Sequence, residues 1–548
     1  MSGRRVDAGV IERDGTTRRA VRSLQVAVAV LVGAIVALPV VGTLTGLRDG
    51  LLINGDEAVA AMLPVEFLRN GPAILFPGNS YQGVLETPVY ALLWWVFGPA
   101  AIPARSFHQI VWVAALGIWT WVATDLLRRA GRSQVAQWWG ALSVAGLLGL
   151  TSVVGWPVFY RIYPGYQLGA LLSGVAVAVA LRSRVVWHWA VAGLLAGLAV
   201  YAQPMHLAAI AAVGVAALGS SDPAVSRPVR VAAAATGGVV GLSPILVWNL
   251  RNSFATFSSD AQPVEHPEWG YVDRLANTLR ITYRVISGDS SLDPPSWWSP
   301  PQVVVATVVL VLCVVGAVAL VRVGRRAAPL LAAGAVLLVG LPLLPALSLE
   351  VDYRYAVAWW PAIAVLVAAG GATVVEFRPP IRNIATVVIV AAVALHIVVV
   401  ADGVRRLLAQ ANEAARVEGV AEALTLDLAD DLRRCGVTFV AGDYWAVYPV
   451  VWGSGASLDG EVFFGPDRLD SINPVDRRGS GRLAVLPPPT VEDPLAAADA
   501  IAVTTGRTVS DWLVATHPET GVTVVLEGLG DSAPDGCTSP GGLLPSGS

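Results

Sequence analysis

Between Leu24 and Val400 the chain is a succession of mainly apolar runs, most of them about as long as a bilayer is thick, separated by connections that carry most of the charge. Such a run of about 20 apolar residues reads as a transmembrane helix, because in hydrocarbon every backbone N–H and C=O must find its partner within the segment. Eleven runs meet this description, at 24–46, 104–127, 135–155, 166–181, 187–203, 205–218, 229–248, 302–321, 327–347, 355–374 and 382–401. Composition agrees. Of 548 residues, 55% are hydrophobic and 14% charged, where soluble domains carry about a quarter charged. The expected fold is an all-α polytopic membrane protein.

Charge orients it. Arg4, Arg5, Arg13, Arg18, Arg19 and Arg22 precede the first run and hold the N-terminus in the cytoplasm. That run is too long for a signal-peptide core of about 7–15 residues. With eleven spans, the inward connections hold Arg128, Arg129, Arg132, Arg182, Arg184, Arg227, Arg322, Arg325, Arg326 and Arg378. The outward loops hold Asp49, Asp56, Glu57, Glu66, Glu86, Glu350 and Asp352 instead. The stretch TPVYALLWWVFGP, 87–99, would invert every later loop if it crossed. Short and flanked by prolines, it is expected to be an interfacial helix on the outer surface. A second interfacial helix is expected within 271–286, where Leu275, Leu279, Thr282 and Ile286 share a face.

Several function classes drop out. A net charge of −3 gives no footprint for nucleic acid. All 37 basic residues are arginine, which removes Schiff-base and P-loop lysine chemistry. No CxxC or Cys/His cluster points to structural zinc. The chain divides into a basic cytoplasmic tail (1–23), a membrane domain (24–401), a small extracytoplasmic α/β domain (402–530) and a flexible Gly/Pro/Ser-rich tail (531–548). A helix before Arg434 and the strand-like runs VTFVAGDY, RLAVLPP and VTVVLEGL make the α/β expectation. Cys435 and Cys537 would both lie in an oxidising space, where they can pair.

The outer face gathers the polar side chains that could do chemistry. Asp56 and Glu57 share a loop with Arg69, Tyr81 and Glu86; further on come Arg161 and Tyr163, His206 at a helix break, and Arg354 with Tyr355. Carboxylates that accept a proton and arginines that hold phosphate suit a phosphate-linked, lipid-borne substrate. Each also has a plainer reading. Asp56 after Asn-Gly can cap a helix with Glu57 favouring its dipole, the arginines can pair with headgroups, and a histidine beside proline can bond a helix break.

A first span, an outer loop opening on DEA, the stretch ETPVYALLWWVFGP and a second span starting near Arg105 resemble the GT-C membrane glycosyltransferases. GLLAGLAVYAQPMHLAAI, PILVWNLRNSF and YRYAVAWWPAIAVL extend the resemblance to the protein-mannosyltransferase and aminoarabinose-transferase branch over residues 24–401. The resemblance implies a polyprenyl-phosphate sugar donor, an extracytoplasmic glycan, lipid or protein acceptor, and Asp56 as the acid that activates the acceptor hydroxyl, with Glu57 beside it. Some members use a divalent metal, so a metal ion stays open. Where relatives of the aminoarabinose enzymes often carry an EKPP-like stretch, this chain has ETPV. Thr87 cannot neutralise phosphate, which leaves that task to Arg161 or Arg354 if the donor is the same. The rival class is a transporter or lipid-linked sugar flippase. It fits less well, since transporters place ionisable groups near mid-membrane and here His396 is the chief charge-capable residue within a span.

Overall fold

A computed structural model of the chain describes residues 55–98 except 72, 78 and 80, then 101–149, 162–220, 224–257, 270–277, 279, 300–323, 356–392, 394–398, 422–464, 482–488, 490–509, 511–517, 522–528 and Cys537, with isolated positions among 22–30. The expected spans 24–46 and 327–347 lie outside these residues, Val26 and Val30 excepted, as does the expected tail apart from Cys537.

The membrane part is helical. In chain order come α1 (Gly55–Asn70), α2 (Thr87–Phe97), α3 (Ala101–Arg129), α4 (Gln134–Gly149), α5 (Tyr166–Arg182), α6 (Val186–Ala202), a 3₁₀ turn (Pro204–His206), α7 (Leu207–Gly219) and α8 (Arg227–Arg251). After these stand α9 (Pro300–Val323), α10 (Ala356–Val375) and α11 (Pro379–Val398). Among the described residues four helices are long and apolar enough to cross a membrane, within α3, α8, α9 and α11. At 16 and 17 residues, α4, α5 and α6 are shorter. At 1.5 Å per residue such helices span roughly 25 Å, a little under the hydrocarbon thickness. The stretch expected as an interfacial helix is α2, 11 residues long with Trp95 and Phe97 exposed. Of the second, Tyr271–Asn277 is helical and the rest falls largely outside the described residues.

The chain forms two compact units. The first comprises Met1–Val40, Gln109–Phe159 and Gly165–Arg406. Its helices pack through small residues. Gly193 and Gly197 on α6 meet Gly237 and Gly241 on α8 so closely that a Cβ on Gly193 would overlap the carbonyl of Ala234, and one on Gly237 that of Ala190. The same device joins Gly316 of α9 to Gly370 of α10. Two small residues four apart let backbones touch, which drives helix association where lipid cancels the hydrophobic effect. At one end of α3 the buried Asp125 holds Arg129 at 2.6 Å, Arg182 of α5 at 3.2 Å, and Arg128. Those arginines also suit the negative ends of both helices.

The second unit comprises Val41–His108, Tyr160–Pro164 and Leu407–Ser548. Its C-terminal part runs α12 (Glu422–Arg434), β1 (Val437–Asp443), α13 (Tyr444–Gly453), β2 (Asp459–Phe464), β3 (Arg482–Leu486), α14 (Pro494–Thr504), β4 (Trp512–Thr516) and β5 (Thr523–Glu527). The five strands form one sheet in the order β2-β1-β3-β5-β4, with β1 parallel to both neighbours and β5 antiparallel to β3 and β4. Strands β1, β3 and β5 stand where the sequence predicts them. β2 and β4 lie outside the predicted runs; DGEVFF opens on an acid and a glycine, a weak strand signal. Cys435 and Cys537 are bonded across a separation of 102 residues, a closure that constrains the unfolded chain by about 4–5 kcal/mol on the chain-entropy account.

Two cores serve this unit: Phe439, Ala441, Leu483, Val485, Ala498, Ile501 and Val525 make one, and the other joins its N-terminal and C-terminal parts. Ala58 to Leu63 of α1, Phe76, Val84, Tyr90, Ala104 and Ile162 share it with Leu428, Leu432, Val440, Val447, Tyr448, Trp452, Leu486 and Leu526.

Candidate active site

Helix α1 opens Gly-Asp-Glu, with both acids in its first turn, where the unpaired N–H groups favour negative charge. The two carboxylates part company at once. Since the helix begins at Gly55, Asp56 stands inside the first turn rather than in the cap position, and it is partly exposed. Glu57 is wholly buried.

Glu57 is held on three sides of its carboxylate. Arg105, in the second turn of α3, donates from Nε to Oε1 at 2.9 Å and from Nη2 to Oε2 at 2.8 Å. The backbone N–H of Ile162 donates to Oε1 at 3.0 Å. A bidentate arginine matches the planar geometry of a carboxylate, and such charge-assisted bonds are roughly twice as strong as neutral ones. Glu57 thus ties the start of α1 to α3 and to the segment 162–164. That segment is held again where Gln82 donates from Nε2 to the carbonyl of Pro164. Tyr163 lies buried within it.

Glu86, also buried, immediately precedes α2. One turn on, the Tyr90 hydroxyl stands 2.7 Å from His108 Nε2, with the Phe107 ring edge-on to the phenol at 6.3 Å. Burial first, and then the charge of Glu86, push the Tyr90 phenol well above its ordinary range. Its stabilising share is therefore complete below a pH of about 10, where the phenol is neutral in both states, and is lost as pH rises beyond that and the unfolded chain ionises. Tyr90→Phe should flatten that alkaline loss while forfeiting the His108 bond, at a cost of about 1 kcal/mol. Melting curves of both proteins between about pH 8 and 11 test this; an unchanged alkaline slope would count against it.

Arg105, Tyr90 and His108 escape a reading that looks for polar clusters in loops. The available signal was spacing: Arg105 and His108 are three apart, on one face of the helix start.

The remaining expected residues are placed differently. Arg69 falls at the far end of α1, 13 residues from Asp56, about 20 Å along the axis at the usual rise. Arg161, Arg354 and Tyr355 lie outside the described residues. His206 belongs to the first unit, buried in the 3₁₀ turn. Its Nδ1 is 3.3 Å from Ser173 Oγ and its Nε2 3.3 Å from the Tyr166 carbonyl, and its ring fills the space a side chain at Gly169 would need. There it locks the turn to α5. Among the described residues no three His, Cys, Asp or Glu side chains converge as a metal site.

No protein-family model matches this chain, and no curated protein matches it. Solved structures do. ArnT from Cupriavidus metallidurans bound to undecaprenyl phosphate aligns with a TM-score of 0.50 and 14% identity, covering 92% of this chain and 99% of that one. The same protein in its apo state aligns equally well. ArnT is an aminoarabinose transferase of the GT-C type, so the fold is one that the motifs around Asp56, Thr87 and Arg105 resemble.

Proposed function

We propose that this chain is an integral-membrane glycosyltransferase that moves a sugar from a polyprenyl-phosphate donor to an extracytoplasmic hydroxyl, with Asp56 as general base. The observation that carries the reading is the shared fold over 92% of the chain with a protein solved with undecaprenyl phosphate bound. The division of labour between the adjacent acids supports it. Glu57, engaged by Arg105 and Ile162, acts as a positioning residue, while the partly exposed Asp56 beside it in the first turn of α1 takes the proton.

In the proposed step the acceptor oxygen forms its bond to the anomeric carbon while its proton passes to the Asp56 carboxylate. The bond from that carbon to the donor phosphate oxygen breaks from the opposite face, so the configuration inverts and polyprenyl phosphate leaves. The departing phosphate needs a cation, a task the sequence leaves to Arg161 or Arg354. A donor tethered to the membrane solves a supply problem, since an outward-facing site has no access to cytoplasmic nucleotide sugars. Positioned general-base catalysis contributes on the order of 10²–10⁴-fold, and electrostatic stabilisation of the leaving phosphate adds to it.

Purified protein incubated with labelled polyprenyl-phosphate sugars and membrane-lipid or glycan acceptors should transfer or hydrolyse the sugar. Movement of the lipid-linked sugar across a bilayer without any bond cleavage would favour the flippase reading and overturn this one. The proposal also requires eleven spans, an inward N-terminus, and Asp56 and the C-terminal unit outside. Cysteines introduced at Ser80 and Ser457 should both react with an impermeant thiol reagent from the outer side. Reaction of either from the cytoplasmic side alone would sink that topology. Background is low, because Cys435 and Cys537 are bonded to each other and Cys313 lies within an apolar helix.

A further inference from the structure

Helix α1 is poorly equipped to stand alone. It has 16 residues and carries Pro64 in its interior, which removes a backbone hydrogen bond and crowds the preceding turn. Isolated helices of this length are marginal in water even without proline. Its first half is buried all round: Ala58, Val59, Ala60, Met62 and Leu63 are almost fully inaccessible, although consecutive helical residues point in different directions, while Phe67 and Leu68 near its end are exposed. A helix encased in this way takes its stability from what encases it.

What encases it comes in part from α2 and neighbouring residues of its own loop, and in equal part from the far end of the chain. Helix α13 packs directly on α1, and its Val447, Tyr448, Val451 and Trp452 enter the same core as Ala58, Met62 and Leu63. α13 is in turn held between α12 and the strands β1 and β2. Cys435 sits at the junction of α12 and β1, buried in that same core, and its bond to Cys537 closes the chain around α13 and the whole sheet. The junction is secured further: Arg482 donates to the Cys435 carbonyl, and Asp431 on α12 pairs with Arg434 and, at 3.3 Å, with His517 after β4.

We infer that α13, pinned by the Cys435–Cys537 disulfide, is the positioning element of the candidate site: it seats α1 and thereby holds Asp56 and the Glu57–Arg105 clamp in place. On this account the C-terminal unit is part of the transfer machinery, and the site is complete only when the disulfide is closed. The functional half of the inference rests on the transferase reading above; the seating of α1 does not.

The test uses the full chain in lipid nanodiscs and two readouts, amide hydrogen exchange along the chain and transfer kinetics. The variants are Trp452→Phe, Trp452→Ala and the double replacement Cys435→Ser/Cys537→Ser. Exchange in α1 peptides should accelerate at least tenfold in Trp452→Ala and in the double variant, while α6 and α8 peptides keep their protection. Trp452→Phe, which retains most of the buried ring, should stay within about threefold of the parent. Turnover should fall in the same order, with KM for the donor little changed, because the base is displaced and the donor's own contacts are not. Unchanged α1 exchange in Trp452→Ala would overturn the inference, even if the double variant cannot be recovered. Loosened α1 with undiminished turnover would overturn its functional half. A parent protein with no transfer activity, in which α1 exchange still follows the variants, would overturn the transferase reading and leave the seating intact.

Discussion

Asp56→Asn is expected to lower sugar transfer by on the order of 10²-fold or more while leaving the melting temperature almost unchanged. Asparagine keeps the size and most of the hydrogen-bonding capacity of aspartate but cannot take a proton from the acceptor. Because Asp56 lies within the first turn of α1, the charge change removes a dipole interaction of about 0.3–1 kcal/mol. Glu57 should behave in the opposite way. Glu57→Ala takes the carboxylate partner from the buried Arg105 guanidinium and from the Ile162 N–H, and breaking a buried pair by removing one partner costs about 3–5 kcal/mol. Its activity should therefore fall with its stability. Initial rates and thermal melts on both variants separate the roles. An active Asp56→Asn enzyme would move the chemistry elsewhere, and a stable Glu57→Ala would mean that the clamp does not hold the helix.

Gly237→Leu should prevent α6 and α8 from packing and leave little folded protein. Any Cβ there would overlap the Ala190 carbonyl, a backbone atom that cannot rotate aside. The usual cost of overpacking is about 1–3 kcal/mol where side chains can yield, and a backbone-to-backbone contact offers no such escape. Gly214 on α7 is the matched control, since a Cβ there meets nothing within 4 Å. Gly214→Ala should be neutral or stabilising by about 0.5–1 kcal/mol, because alanine is the better helix former. Expression yield and thermal unfolding in detergent read both. A Gly237→Leu protein that melts like its parent would contradict the close approach of the two helices.

The two acids that open α1 illustrate how far a sequence reading reaches. Their adjacency, the polar loop around them and the apolar runs on either side are one-dimensional facts, and they point to chemistry at a membrane surface. What holds Glu57 is Arg105, 48 residues on, and a backbone N–H at Ile162, 105 residues on. Neither partner carries a local mark that joins it to Glu57.

The sequence by itself determined the helical membrane character and the positions of most helices, because length and hydropathy of a run decide whether its backbone can be satisfied in lipid. It also determined the Cys435–Cys537 pair, the only two cysteines outside an apolar run. Only the tertiary structure decided that the loop after the first span and the C-terminal segment share one core, that α13 rather than a strand follows β1, and that facing glycines bring α6 onto α8. The physical reason is common to all three. Burial, ion pairing and close backbone approach are properties of residues far apart in the chain, and α13, with Pro449 among aromatic and β-branched neighbours, is a helix because its surroundings bury it, against the local preference of its residues.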